Sequence, residues 1–370
     1  MKKIDSSYFK KLTKNIIIDN CIPELSSKNV HEFKIGKNFF YEVKDYNELK
    51  YIQKIINKKL QKGIPLNNAA VAFREKFSYL HLFELHRKNY YFLRLDIRSF
   101  FHSIQIDDVK KVLQEYFKDE YINEKSTQTI IDGFLNLVSY KIPDNSSNKE
   151  EFKGKKVIPM GFITSPTISN IIFRKLDIQI QKYCAEKNIV YTRYADDMLF
   201  SSDKISKYVH SQNFEGEISI LISQLGFKLN KHKTIKKEHT ISLNGYTIQY
   251  SDKGSRKGFL LSEKVLNEFR LSNKKINIIK KIIHMINVED KSHTLILKKL
   301  FNYKLPMSVP KAKKSQFEKN QLVHKIAGYR SYILSFIIFN KKYNCLQDNT
   351  LKKYMNLVNK LNSILEKLNA

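Results

Sequence analysis

The stretch "YTRYADDMLFSS", residues 191 to 202, sets two adjacent carboxylates, Asp196 and Asp197, inside an apolar and aromatic run. β-Prone residues flank them, Val190 to Tyr194 on one side and Met198 to Ser201 on the other, so the pattern predicts a hairpin with "ADD" at its tip. Adjacent acids repel each other, and burying either one without a partner is costly. On a solvated turn such a pair is ordinary surface. Framed by buried-type residues, it asks for a cation.

Working outward, "NYYFLRLDIRSFF" (89–101) alternates with period two. Leu93, Leu95 and Ile97 fall on one face, and Phe92, Arg94 and Asp96 on the other, as in a strand. Residues 106–140 read as helical, and 142–156 as a polar loop. Pro166, Ile172, Leu176, Ile180 and Tyr183 then describe an amphipathic helix entered through proline. After the hairpin, 215–230 reads as helix then strand, and 240–262 as a second hairpin with glycine turns. Upstream, Leu49, Ile52, Ile55, Ile56 and Leu60 recur at helical spacing ahead of Gly63, and residues 1–30 read as basic helix. From 263 onward everything suggests helices. The expectation is an α+β part to about residue 250, with strand, helix and hairpin in an order compatible with a split βαβ unit, then a basic all-α part.

The chain has 66 Lys+Arg against 36 Asp+Glu, a formal charge of +30, which points to a polyanionic partner. The excess is uneven, since residues 261–370 hold 22 Lys+Arg and only 7 Asp+Glu. With 24 Phe and 21 Tyr there are many π-faces on which bases could stack. Cys21, Cys184 and Cys345 are far apart and form no metal-ligand spacing, as isolated thiols of a reducing compartment do. The first residues lack the apolar run of a signal peptide, and no stretch reaches transmembrane length. "YILSFIIF" (332–339) is read as a core helix segment. The expected location is the cytoplasm, with no membrane partner.

Hard divalent cations take carboxylate oxygens and keep positions for water and phosphates. Two such ions can activate an attacking hydroxyl and stabilise a leaving pyrophosphate, which requires carboxylates from separate segments converging at strand ends. Asp96, at the end of one predicted strand, and Asp196 with Asp197, at the tip of a predicted hairpin, meet that description. Their charge would be offset by the cations they hold.

The ordered segments "LDIRSFFHSI" (95–104), "PMGFITSPTISN" (159–170), "RYADDMLFSS" (193–202), "GFKLNKHKT" (226–234) and "LNGYTI" (243–248) resemble the successive palm motifs of reverse transcriptases, most of all the bacterial retron type. The resemblance covers roughly residues 30 to 250, and "HKIAGYRSYI" (324–333) is similar, less specifically, to the helical thumb of the same enzymes. It implies a right-hand polymerase fold. Fingers and palm would occupy 1–250, with fingers at about 1–90 and 105–158 interleaved with the palm, and a basic helical thumb would follow at 251–370. It also implies Asp96 and Asp196 as the main ligands of two Mg²⁺ ions, with Mn²⁺ as a substitute, helped by Asp197 and the Ile97 carbonyl. Phe101 matches the residue beneath the sugar that excludes a 2′-OH. Gly161 matches a close backbone approach beside the nucleotide, Lys233 a cation near the triphosphate, and Arg74 a contact to the triphosphate from the fingers. Asn244 and Gly245 match the hairpin that grips the primer end.

In retron relatives, the resemblance implies, a structured noncoding RNA from the same locus supplies primer and template, dNTPs are the substrates, and the product is an RNA–DNA hybrid serving antiviral defence with an effector protein. With only 7 scattered acids after residue 260 there is no candidate ribonuclease H cluster, so template removal is expected to need the host enzyme. Met160 stands where most relatives have Gln, and Leu243-Asn244-Gly245 replaces the usual Val-Thr-Gly. Both bear on subtype rather than on polymerase chemistry. Two other readings compete: an untemplated polymerase like the abortive-infection relatives, and a non-catalytic RNA-binding scaffold.

Overall fold

The strand that ends in Asp96 is buried on both faces: Phe92, Leu93, Leu95 and Asp96 are all shielded from solvent. The alternation in its sequence had suggested one apolar and one polar face. The difference follows from position, because in the computed structural model, which describes residues 2–44, 47–250, 267–306 and 309–369, this strand lies inside a four-stranded sheet.

The elements run α1 (Ser6–Thr13), β1 (Val30–Ile35), β2 (Asn38–Val43), α2 (Asn47–Gly63), α3 (His81–Glu84), β3 (Tyr91–Asp96), α4 (Ile106–Leu113), α5 (Ile130–Val138), β4 (Tyr140–Lys141), β5 (Lys156–Val157), α6 (Ser165–Ala185), β6 (Val190–Tyr194), β7 (Asp197–Ser202), α7 (Gln212–Ser223), β8 (Ile235–Glu238), β9 (Thr240–Leu243), β10 (Tyr246–Tyr250), β11 (Asn267–Leu271), α8 (Asn273–Asn287), α9 (His293–Phe301), α10 (Lys314–Tyr343) and α11 (Asp348–Asn369). The described elements are of mixed α and β type. Contacts divide the chain into two units, one of residues 1–82 and 93–236, the other of residues 83–92 and 237–370.

In the first unit the central sheet has the order β6-β7-β3-β8. Helix α6 packs on β6, and its buried Phe173 joins Phe100 and Phe227 in an aromatic cluster, with ring centroids 5.3–5.8 Å apart. Several expectations need correcting. Only Ser6–Thr13 of the first thirty residues is helical, started by the Asp5 side chain, which accepts the Tyr8 N–H at 2.9 Å. The β1–β2 hairpin, antiparallel with Val30 opposite Val43, had no counterpart in the sequence reading. The predicted helix 106–140 is two helices, because the chain between α4 and α5 is tied in turns by Asn123 and Ser126 before Thr129 caps α5.

In the second unit β10 lies between β9 and β11, antiparallel to both. Asn244 and Gly245 join β9 to β10 with φ of 48° and 91°. Two residues with positive φ suit the twist of a two-residue hairpin. Part of the predicted second hairpin, 251–262, lies outside the described residues. In the region expected to be helical from 263, the first described element is a strand, β11, whose backbone edge pairs with β10. From Asn273 on the described elements are helices, and α9 and α10 end on the left-handed residues Asn302 and Asn344. Within α10, Ile333, Phe336, Ile337 and Phe339 are buried, as the core-segment reading required. Among the described residues no helix is long and apolar enough to cross a membrane. Cys184 and Cys345 are buried, and Cys21 is half-buried.

Phe100, buried in that aromatic cluster, lies four residues after Asp96. Phe100→Ala is expected to cost about 3–5 kcal/mol in urea unfolding, and Phe100→Leu clearly less.

Candidate active site

All three predicted carboxylates lie in the first unit. Pairing of Tyr194 with Asp197 makes the hairpin loop the two residues Ala195 and Asp196. Asp197 is thus the first residue of β7 and not part of the tip, a correction to the expected Ala-Asp-Asp turn. Ala195 has φ 56°, a left-handed conformation that a residue with a Cβ adopts only at some cost. The Ile97 N–H donates to the Asp196 carbonyl at 3.0 Å, so the turn is fastened to the residue after Asp96. From the other side, the Asn230 N–H donates to the Asp96 carbonyl at 2.7 Å and the Arg98 N–H to that of Lys228 at 2.9 Å. The β3 end is thereby clamped between the hairpin and the segment holding Lys233.

The side chains form one charge network. Arg94 donates through Nε to Asp197 Oδ1 at 2.7 Å, and its second terminal nitrogen reaches both that oxygen and Asp96 Oδ2, the latter at 3.1 Å. Lys233 Nζ donates to Asp96 Oδ2 at 3.0 Å, and Asn230 Nδ2 to Asp96 Oδ1 at 3.2 Å. Among the described residues Asp196 has no ion pair of its own. Burial, then the charges of Asp197 and Asp96, push its carboxyl up to about 6. Burial also raises Asp197, while Arg94 pulls the other way. Among the described residues three acids therefore face two cations, and the uncompensated charge rests on Asp196.

That donor set suits a hard divalent cation, because buried carboxylate oxygens carrying excess negative charge are what such an ion takes up. As arranged, Arg94 and Lys233 engage Asp96 and Asp197. Among the described residues no three His, Cys, Asp or Glu side chains form a ready ligand group.

The other predicted residues are placed as follows. Half-buried Phe101 packs against Phe100 and Phe73, with centroids 5.4 and 6.3 Å apart. Gly161 (φ 114°) admits no side chain, since a Cβ there would lie 2.5 Å from the Tyr41 carbonyl. The close approach that requires glycine is therefore to β2. The Arg74 guanidinium donates to the Asn67 and Ala70 carbonyls at 3.0 and 2.9 Å and covers the Phe77 ring, so it serves its own loop. Asn244 and Gly245 belong to the second unit, at a groove of about 770 Å³ also lined by Arg270, Lys274 and Lys275. Arg94 is the site residue that sequence reasoning missed. The available signal was its place two residues before Asp96 on the same strand face.

With this geometry in hand, comparison with known proteins is informative. The chain matches the family "Reverse transcriptase (RNA-dependent DNA polymerase)" over residues 46–248. It is 28% identical over 242 residues to the retron Ec83 reverse transcriptase of Escherichia coli, covering 64% of this chain and 74% of that one. To the retron Ec73 reverse transcriptase of the same organism it is 31% identical over 167 residues, covering 42% of this chain and 47% of the relative. A solved telomerase from Candida albicans, in complex with a telomeric RNA fragment, aligns with 98% of this chain and 66% of that one. The TM-score is 0.44 and the identity 12%, a likeness too remote to bear on chemistry. The matched family defines the class, a polymerase. The chain belongs to the reverse transcriptase family, the RNA-directed DNA polymerases, and is of the retron type.

The raised carboxyl of Asp196 has a signed consequence. Between its ordinary value near 4 and about 6 the folded chain holds a proton that the unfolded chain has lost. Stability therefore falls as pH rises through that window and levels off above it. In a chelator, Asp196→Asn should be more stable than the parent at pH 7.5, by about 3 kcal/mol. The advantage should vanish below pH 4 in thermal or urea melts.

Proposed function

We propose that the chain copies part of a structured noncoding RNA into DNA, using dNTPs and leaving an RNA–DNA hybrid. The observation that carries this reading is the convergence of Asp96, Asp196, Asp197 and Lys233 on the end of one central strand, with the excess negative charge on Asp196. Asp96 and Asp196, assisted by Asp197 and the Ile97 carbonyl, would hold the divalent ions, Mg²⁺ or in its place Mn²⁺. Bound there, such ions activate a primer hydroxyl and offset the charge of the triphosphate.

The chain's own groups do the rest. The Lys233 ammonium, half-exposed, offsets charge developing on the phosphates. Phe101, braced by Phe73 and Phe100, sits beneath the sugar and excludes a 2′-OH. Gly161 keeps the loop before α6 close to β2, setting the wall beside the nucleotide. Arg74 enters only if it leaves its carbonyl partners. Asn244 and Gly245 hold the primer end. Residues 1–250 act as fingers and palm, and the basic helices that follow as a thumb that grips duplex by backbone and shape. The setting we propose is retron-like: cytoplasmic antiphage defence, an effector protein, and a host ribonuclease H for template removal.

Primer extension on an RNA template tests the chemistry. The double variant Asp196→Asn, Asp197→Asn should lose dNTP incorporation by at least a thousandfold, and wild-type-like extension by it would end the assignment. Phe101→Ala should raise ribonucleotide use at least tenfold relative to the parent, read from competing rNTP and dNTP incorporation. Sequencing of co-purifying nucleic acid should return one fixed sequence joined to its RNA, whereas random tracts would point to untemplated synthesis.

A further inference from the structure

Arg193 is fully buried, among the largest side chains in the molecule with no access to solvent. Its Nε and one terminal nitrogen donate to the two oxygens of Asp177 on α6, at 2.9 and 2.7 Å. The same terminal nitrogen reaches Asn170 Oδ1 at 3.1 Å, and the other donates to the Ala195 carbonyl at 3.0 Å. Asp177, itself fully buried, also accepts the Tyr191 hydroxyl at 2.8 Å. The guanidinium lies 4.4 Å from the Phe173 ring centroid.

A core does not need such a pair for cohesion. Withdrawing two charges from water costs several kcal/mol per ion, and packed apolar side chains of similar volume often hold a fold as well or better. What a planar guanidinium adds is direction, since its donors point along fixed lines. One of those lines ends on Ala195, the left-handed residue immediately before Asp196. The backbone of Arg193 gives a second connection. Its N–H donates to the Ala69 carbonyl at 2.7 Å, and its carbonyl accepts the Val71 N–H at 2.9 Å. Asn170, held by the guanidinium, donates to the Ala72 carbonyl at 2.8 Å. The next residue is Phe73 (φ 58°), which packs on both Phe101 and Tyr194.

We propose that Arg193, oriented by Asp177, is a positioning residue that sets the Ala195–Asp196 turn and, through segment 69–73, the aromatic side of the nucleotide site. It touches no substrate, and the assignment rests on the polymerase reading above. Displacing a reacting group by about 1 Å costs on the order of a hundredfold in rate, and that is the scale expected here.

The test compares Arg193→Met combined with Asp177→Leu, and Arg193→Lys alone, with the full-length parent. The apolar pair should melt within a few degrees of the parent, extend primers about a hundredfold more slowly, and keep KM for dNTP within about threefold. Arg193→Lys, which keeps the charge and loses the fork, should show the same kcat loss without rescue. Hydrogen exchange followed by mass spectrometry should show faster exchange confined to residues 190–202 and 69–73. A folded variant of either kind with parental kcat and parental exchange would overturn the proposal. If neither folds, Asn170→Ala decides it, since it removes one acceptor and leaves the ion pair. About a tenfold kcat loss with local exchange supports positioning, and parental behaviour refutes it. Should the parent itself extend no primer, the polymerase reading fails, and the exchange pattern alone still decides whether Arg193 sets the turn.

Discussion

Negative charge inside a folded protein has to be answered locally, and the centre of this molecule is built around one such requirement. Asp96, Asp196 and Asp197 arrive from two strands and a turn, the first shielded from water and the other two half-buried. Arg94 and Lys233 answer two of the charges, reaching across from β3 and from the segment after Asn230. That leaves Asp196 in surplus. The backbone reinforces the arrangement, since Ile97 donates to Asp196 and Asn230 to Asp96. Sheet, hairpin and following segment therefore share one set of charges, and a shift in any of them would be felt by all three acids.

The sequence disclosed the site more fully than the fold around it. Adjacent acids in an aromatic run, and a lone acid closing an alternating strand, are local patterns; Asp96 and Asp196 stand where those patterns put them, whereas Asp197 opens β7 instead of sharing the turn. Their partners were less legible. Arg94 reads as an ordinary exposed cation of a strand, and only the tertiary pairing of β3 with β7 turns it toward Asp197. Arg193 is harder still, because a residue type that is almost always on the surface gives no sign from its neighbours that it will be buried whole.

The elements that escaped prediction share a cause. Strands β1 and β2 mix lysine and glutamate with apolar residues, and β11 is five residues beside a basic helix. In each, the deciding term is a hydrogen-bonding partner distant in sequence or hidden in a turn, and neither leaves a period that can be counted. Gly161 shows the same limit. Its need for glycine was visible, but the neighbour imposing it is the β2 backbone rather than a ligand.

That contact at Gly161 also divides the hairpin it touches into two regimes. At the tip, a Cβ on Gly36 would meet nothing within 4 Å, while at the base the Tyr41 N–H donates to the Met160 carbonyl at 2.8 Å and its own carbonyl blocks any side chain opposite. The hairpin is thus free at one end and riveted at the other. An epitope, a fluorescent peptide or a fusion partner inserted at residues 36 and 37 would leave the loop ahead of α6 undisturbed. The same insertion beside Tyr41 would pry that loop open. The molecule offers a handle on its first unit whose attachment point is mechanically separate from the wall it helps to build.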